Sequence, residues 1–206
     1  MIDEHLLAFV MDGLPDPPAR VLEVGAGTGR LADALRGLGY DVLAIDPATG
    51  TESVDRLRLH EVDEPDGSFD AAVAVLSLHH VEPLAESFDR LAALVRAGGP
   101  LVVDEFDVAC FDERAAAWWI DQRELASGEA HDEHEGRFVR TLRDHLHPVA
   151  LVRSQLQRAG FALGAVARGP YLYRWDLPPG LRGAERQLIE TELLPATGAR
   201  FVATRS

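Results

Sequence analysis

Apolar residues along the first hundred positions change period repeatedly, and this pattern predicts strands alternating with helices. Runs that suit buried parallel strands occur at 20–24, 41–46, 71–81 and 101–105. Segments with helical spacing lie between them, at 30–38 and 84–95. Because such alternation is typical of parallel sheets, the pattern predicts an α/β domain.

The second half of the chain predicts helices and a final hairpin. Helical stretches are expected at 112–127 and 149–159, and Gly160 is a C-cap candidate for the second of them. The hairpin is predicted to pair 165–175 with 200–205, with mostly helix over 181–194. The first twenty residues hold one helix and leave no room for a lid. We therefore expect 106–147 and 170–195 to close an acceptor site.

The turn after the first strand is rich in glycine. Gly25, Gly27 and Gly29 follow Glu23, and Arg30 opens the next helix. Glycine allows positive φ and lets a ligand approach the main chain, while the helix points free N–H groups at the same place. A dinucleotide fingerprint requires a glycine at position 30, and a P-loop requires Lys-Ser/Thr after the glycines. Neither pattern is present, so the turn predicts a nucleotide-type site of another kind.

The pattern E-x-G-x-G-x-G at 23–29 resembles the first motif of class I S-adenosylmethionine-dependent methyltransferases. The segment 65–81 is similar to the "D-x-S-F-D … L-H-H-V" segment of their ubiquinone/menaquinone-biosynthesis-like (methyltransferase type 11) branch. The resemblance implies a Rossmann-like three-layer sandwich, with a mostly parallel seven-stranded sheet, an antiparallel C-terminal strand and a small helical cap. It also implies S-adenosylmethionine as cofactor and S-adenosylhomocysteine as product.

The resemblance further implies which residues contact the cofactor. Asp46 ends the second strand and would accept hydrogen bonds from both ribose hydroxyls, as an acid does in dinucleotide folds; the alternative is a turn residue before Pro47. The segment 56–64 is about two residues short of the family's third strand and adenine-binding acid. Glu61 is favoured over Asp63 for the adenine amine, and both remain open as solvated acids. The predicted cofactor set is Glu23, Gly25, Ala26, Gly27, Gly29, Asp46, Pro47, Glu61, Val62 and Leu76.

Two histidines follow the apolar run at the place where the methyl group must emerge. His79 and His80 are candidate general bases, because an imidazole ordinarily titrates near pH 6.5. Strand alternation lets only one of them face the pocket, and His79 is favoured. His131 is the third catalytic candidate. Acceptor contacts are predicted for Glu105, Trp118, Trp119, His134 and Tyr171; for the aromatic residues, with Tyr173 and Trp175, the alternative is a place in the core.

The histidines of the segment 106–147 raise the question of a metal. His131 and His134 have i, i+3 spacing, and His145 and His147 follow. Such pairs can share a zinc or iron ion on a helix. Neither cysteine partners nor an HExxH pattern accompanies them, so a polar, solvated helix and loop is preferred. No metal site is predicted.

Composition narrows the class of protein. The 206 residues and 22.5 kDa suit one methyltransferase domain over 1–206, with 106–147 as a helical cap insertion. A net charge of −14 disfavours nucleic acid, since binding to its backbone requires Lys and Arg. The single cysteine, Cys110, excludes an internal disulfide and suits a reducing cytosol. Neither a signal peptide nor an apolar run of membrane-spanning length is found. We expect a cytoplasmic monomer or homodimer.

Three functions fit these observations. The leading hypothesis is a methyltransferase acting on an O, N or C nucleophile of a small molecule, in secondary metabolism. A second is an enzyme that uses the same cofactor without methyl transfer, in a cyclisation or decarboxylation. A third is a non-catalytic cofactor-binding protein, which the intact Glu23, glycine turn and Asp46 disfavour.

Overall fold

The computed structural model describes residues 3–128 and 134–206, which belong to two compact units. The first unit takes in the chain up to Glu105, together with 150–166 and 200–206. The second unit takes in 106–149 and 167–199. The predicted insertion at 106–147 therefore falls inside the second unit.

Seven strands form one sheet in the described part of the chain, in the order β2-β1-β3-β4-β7-β5, with β6 also beside β7. Strand β1 is parallel to β2 and β3, β3 is parallel to β4, and β5 is antiparallel to β7. This arrangement confirms the predicted Rossmann-like α/β class. The strands are β1 (Arg20–Val24), β2 (Asp41–Ile45), β3 (Ala71–Val75), β4 (Pro100–Phe106), β5 (Phe161–Leu163), β6 (Ala167–Gly169) and β7 (Gly198–Arg205).

Where both ends of a helix were predicted, the observed helix begins and ends within two residues of the predicted bounds. For example, α4 begins where Asp112 accepts a hydrogen bond from the Ala115 N–H at 3.0 Å, and it ends at Gly128, whose φ is +74°. The described helices are α1 (Glu4–Gly13), α2 (Arg30–Gly37), α3 (Leu84–Leu94), α4 (Glu113–Ser127), α5 (Glu135–His145), α6 (Val149–Arg158) and α7 (Arg182–Glu190).

The core of the first unit surrounds strand β1. Val21 and Leu22 point to opposite faces of the sheet and are both fully buried, as expected for a parallel strand covered on both sides. Helix α1 contributes Leu6 and Val10 to the same core as Val21. The N-terminal helix is therefore part of the packed unit.

The segment after the second strand differs from the prediction. The third strand expected within 56–64 is absent, and a 3₁₀ turn at Leu59–Glu61 stands in its place. Strand β3, which was predicted within 71–81, ends at Val75. Leu76 then adopts a φ of +55°, which turns the chain out of the sheet, and a 3₁₀ turn follows at Leu78–His80.

The final hairpin is corrected as well. Residues 161–163 pair with 203–205, and β6 replaces the start of the predicted 165–175 strand. The Glu185 carboxylate accepts the backbone N–H groups of Tyr171, Leu172 and Tyr173 at 2.7–2.9 Å. Because those N–H groups are occupied, they cannot join a strand ladder, and Leu172–Arg174 is a 3₁₀ turn.

Glu23 is a buried acid of strand β1, just before the glycine turn that leads into helix α2. It is 3% exposed, and its Oε2 atom has no hydrogen-bond partner. Burial raises the pKa of Glu23 to about 7, and the backbone N–H of Ala32 opposes this rise.

We expect Glu23 to make the protein less stable as pH rises. The folded state holds this proton to about pH 7, whereas the unfolded chain releases it near 4.5. Its stabilising contribution is therefore complete below about 4.5 and is lost as pH rises through 7, an effect of up to about 3 kcal/mol. In thermal unfolding between pH 5 and pH 8, the stability of Glu23→Gln should therefore fall less steeply with pH than that of the wild type. The exposed Glu86→Gln is the charge-matched control, and unfolding curves with the same pH slope for both variants would contradict the assignment.

Candidate functional site

A cavity of about 380 Å³ lies in the first unit, at the carboxyl ends of β1, β2 and β3. Its volume is within the range of roughly 300–1,000 Å³ that is usual for small-molecule sites. Ligands of open α/β sheets bind at this edge. The lining residues are Val24, Gly25, Ile45, Asp46, Pro47, Ala48, Leu57, Arg58, Leu59, Leu76, Ser77, His80, Val81 and Glu82.

The three glycines of the first turn have different reasons to lack a side chain. All three have positive φ. A Cβ on Gly25 would lie 2.2 Å from the Ser77 Cβ, and one on Gly29 would lie 2.8 Å from the Val54 Cγ2. A Cβ on Gly27 would contact nothing within 4 Å. Gly25 and Gly29 are therefore required by packing, whereas Gly27 leaves open space where a ligand can approach the main chain.

Asp46 has the turn-residue role, and it also lines the cavity. Its Oδ1 accepts the N–H groups of Ala48 and Thr49 at 2.9 and 2.8 Å, which is a turn-residue role. Its Oδ2 accepts the Gly27 N–H at 2.9 Å, and the residue lines the cavity. Three of the roughly four acceptor positions of a carboxylate are thus used, and the remaining one is on Oδ2.

The residues predicted to contact adenine do not line the cavity. Glu61 is exposed and accepts the Arg58 N–H at 2.8 Å, which closes its own 3₁₀ turn, and Val62 is buried. Leu57, Arg58 and Leu59 line the cavity instead, and sequence reasoning missed them. The cause is the turn that replaces the expected third strand. The alternation of Leu57 and Leu59 about a polar residue was the available signal.

The histidine pair is arranged opposite to the prediction. His80 lines the cavity, whereas His79 is buried with its Nδ1 against the Glu105 Oε2. The prediction assumed a strand that continued to the histidines. The chain leaves the sheet at Leu76, so strand alternation does not apply to them.

Glu105 was predicted to contact the methyl acceptor, but its carboxylate binds backbone N–H groups instead. It is fully buried at the end of β4, and its Oε1 accepts the N–H groups of Ser77 and Leu78 at 2.9 and 2.6 Å. Ser77 Oγ also donates to the Val24 carbonyl oxygen at 2.6 Å. The wall of the cavity after β3 is therefore fixed to β1 and β4.

The predicted aromatic acceptor contacts lie in the second unit. Trp119 is buried there, donates its Nε1–H to the Trp175 carbonyl oxygen at 2.8 Å, and has its ring 4.7 Å from that of Trp175. Trp119 is thus a core residue, as is the buried Tyr173. Trp118, Tyr171 and Trp175 are half-buried, and their contact with an acceptor stays a prediction.

The two remaining histidine candidates for the site are His134 and His131. His134 is exposed and accepts the Gly136 N–H on its Nδ1 at 3.2 Å, so it caps helix α5. His131 lies outside the described residues. Within 3–128 and 134–206, the structure contains no group of three or more His, Cys, Asp or Glu side chains that could hold a metal ion. No helix in those ranges is long and apolar enough to cross a membrane.

Comparison with known families and proteins identifies the relatives of this chain. A family model described as "Methyltransferase domain" matches residues 2–165. An uncharacterised methyltransferase of Mycobacterium tuberculosis is 36% identical over 98 residues, which are 43% of this chain and 40% of that protein. A ubiquinone biosynthesis O-methyltransferase of Xanthomonas campestris is 40% identical over 111 residues, or 46% of each chain. The chain thus spans less than half the length of each of these relatives.

Solved structures share the fold over almost the whole chain. An S-adenosylmethionine-dependent methyltransferase of Mesorhizobium loti has a TM-score of 0.62 at 22% identity and covers 96% of both chains. A Burkholderia thailandensis N1-methyltransferase, solved with S-adenosylhomocysteine, has a TM-score of 0.56 at 19% identity, with 98% of this chain and 77% of that one covered. The [4+2]-cyclase SpnF has a TM-score of 0.60 at 18% identity, with coverage of 98% and 80%.

The open space at Gly27 generates a direct test of the ligand site. We expect Gly27→Val to abolish binding of S-adenosylhomocysteine, measured by calorimetry, because the side chain would enter that space. The matched control is Gly98→Val, since Gly98 also has positive φ and open space around the position of a Cβ but lies in the turn before β4, whereas the Gly27 N–H is bonded to the cavity residue Asp46. Both variants carry the same backbone strain. Equal loss of binding in the two would show that strain, and not ligand contact, is responsible.

Proposed function

Because the chain belongs to the methyltransferase-domain family, we propose that it transfers a methyl group from S-adenosylmethionine to an O, N or C nucleophile of a small-molecule acceptor. The family match confirms the predicted family, and the methyltransferase relatives support the predicted enzyme class and cofactor. The acceptor class and the in-line reaction are the proposal, as is a role in secondary metabolism.

The observation that carries the proposal is the cavity at the ends of three adjacent parallel strands. Asp46 of the lining keeps one acceptor position for a ribose hydroxyl, and Gly27, whose N–H it accepts, leaves open space beside the main chain. Leu57 and Leu59 offer apolar surface to a flat base. Arg58 lies between these two leucines in the sequence and also lines the cavity, whereas the family resemblance implies an acid in this segment.

The proposed reaction requires little of the protein beyond positioning the acceptor against the cofactor. The bound cofactor supplies a methyl group that its sulfonium has already activated. Asp46 and the glycine turn bind and orient the nucleoside, and the cavity walls hold the acceptor in line, an effect worth on the order of 7–11 kcal/mol at best. His80 is the imidazole of the cavity lining, so we assign to it the removal of a proton from acceptors that are protonated at neutral pH.

A product assay tests the reaction. Incubation with S-adenosylmethionine and a panel of phenols, carboxylic acids and amines should release S-adenosylhomocysteine and yield one product heavier by one methyl group. The alternative would be favoured by a product that forms only in the presence of the cofactor and is either of unchanged mass, as in a cyclisation, or lighter by CO₂, as in a decarboxylation. Failure of both S-adenosylmethionine and S-adenosylhomocysteine to bind, while a nicotinamide cofactor or ATP stabilises the protein, would reject the cofactor itself.

A second experiment tests the ribose acid. Asp46→Ala should weaken S-adenosylhomocysteine binding by roughly 10- to 100-fold, because a hydrogen bond to a charged group contributes about 1.5–3 kcal/mol. Asp41→Asn is the control, since Asp41 is an exposed acid at the other end of the same strand. An unchanged dissociation constant in Asp46→Ala would remove Asp46 from the site.

A further inference from the structure

One buried carboxylate contacts three consecutive residues of the segment after β3, of which Ser77 lines the cavity. Glu105 binds the N–H groups of Ser77 and Leu78 with Oε1 and the His79 ring with Oε2. Glu105 is fully buried and His79 is 6% exposed. This set of contacts ends one residue before His80, which lines the cavity.

The contact with Glu105 places a proton on one nitrogen of the His79 ring. An ionised carboxylate has only acceptor positions to offer, so the His79 Nδ1 must carry a proton, whatever the state of Nε2. This proton matters because it fixes the role of Nδ1 as a donor. Glu105 therefore sets both the orientation of the buried ring and the protonation of its Nδ1.

The buried ring in turn lies against the ring in the cavity. The centroids of His79 and His80 are 4.3 Å apart, and the two ring planes are tilted by 51°. His80 is exposed, so the buried His79 ring offers a fixed surface against one side of the His80 ring. A ring that is held against such a surface is oriented before a ligand arrives.

We propose that Glu105 and His79 form a positioning pair that holds the His80 imidazole in one orientation at the cavity. Only the role of His80 as proton acceptor rests on the proposed function. The geometry of the pair is independent of it. The inference adds two residues that touch neither cofactor nor acceptor to those that determine the reaction.

The test uses the full chain labelled with ¹⁵N and ¹³C in its histidines. Imidazole spectra should show the His79 proton on Nδ1, and three-bond couplings about χ1 should show one rotamer for His80. In Glu105→Gln the amide oxygen keeps the N–H groups of Ser77 and Leu78, so its NH₂ group must face His79. His79 should then move its proton to Nε2. In His79→Asn the bond to Glu105 is retained but the ring is lost, and the His80 couplings should become averaged.

The matched control is Glu185→Gln. Glu185 is also fully buried and also binds the backbone of a 3₁₀ turn, but none of its partners lines the cavity. It should lower the unfolding temperature while leaving both histidine readouts unchanged. S-adenosylhomocysteine affinity should stay within about threefold of the wild type in Glu105→Gln, whereas methyl transfer to the acceptor found in the product assay should fall at least tenfold in kcat.

Two results would overturn the inference: a His79 Nδ1 without a proton in the wild type, or His80 couplings that are equal in the wild type and His79→Asn. An unchanged kcat in Glu105→Gln would instead reject the role of His80 as proton acceptor, which belongs to the proposed function. Loss of S-adenosylhomocysteine binding by the wild type would reject the proposed function alone, because the tautomer and rotamer readouts need no ligand.

Discussion

The cavity depends on one requirement, which is that backbone N–H groups leaving a buried strand must find acceptors. After β3 the chain leaves the sheet at Leu76, and the next N–H groups have no strand to pair with. Glu105 supplies the acceptor from the end of β4. A buried charge is costly unless hydrogen bonds satisfy it, and here the charge and the N–H groups satisfy each other. The second unit repeats the solution, with Glu185 binding the turn at 171–173.

The sequence predicted the first part of the fold well because its signals there are local. The bounds of β1 and α2 follow from an apolar run, a glycine turn and helical spacing, all within twenty residues. The cofactor followed from the resemblance to a known family, which itself rests on local features such as the Gly25–Gly29 spacing and the acid at 46. These features require no knowledge of distant partners.

The predictions that failed mostly concern places where a residue far away in the chain determines the local structure. Ser77 and Leu78 leave the strand pattern because of Glu105, and Tyr171–Tyr173 do so because of Glu185. The assignment of His79 to the pocket failed for the same reason, since alternation was applied beyond the end of the strand. Glu61 and Trp119 were placed by residue type, whereas a local turn and an aromatic core determine their positions. Arg58 was overlooked because the family resemblance implies an acid.

The hydrogen bonds among the three strand ends also bear on the entropy of binding. Ser77 Oγ links the end of β3 to β1, and Asp46 links the end of β2 to the glycine turn. Both links join atoms of the protein itself, so folding alone orders the loops that they connect around the cavity. Ordering loops and side chains on association normally costs part of the binding free energy. In this protein that cost is met during folding, and the affinity of the cavity is accordingly coupled to the stability of the unit that contains it.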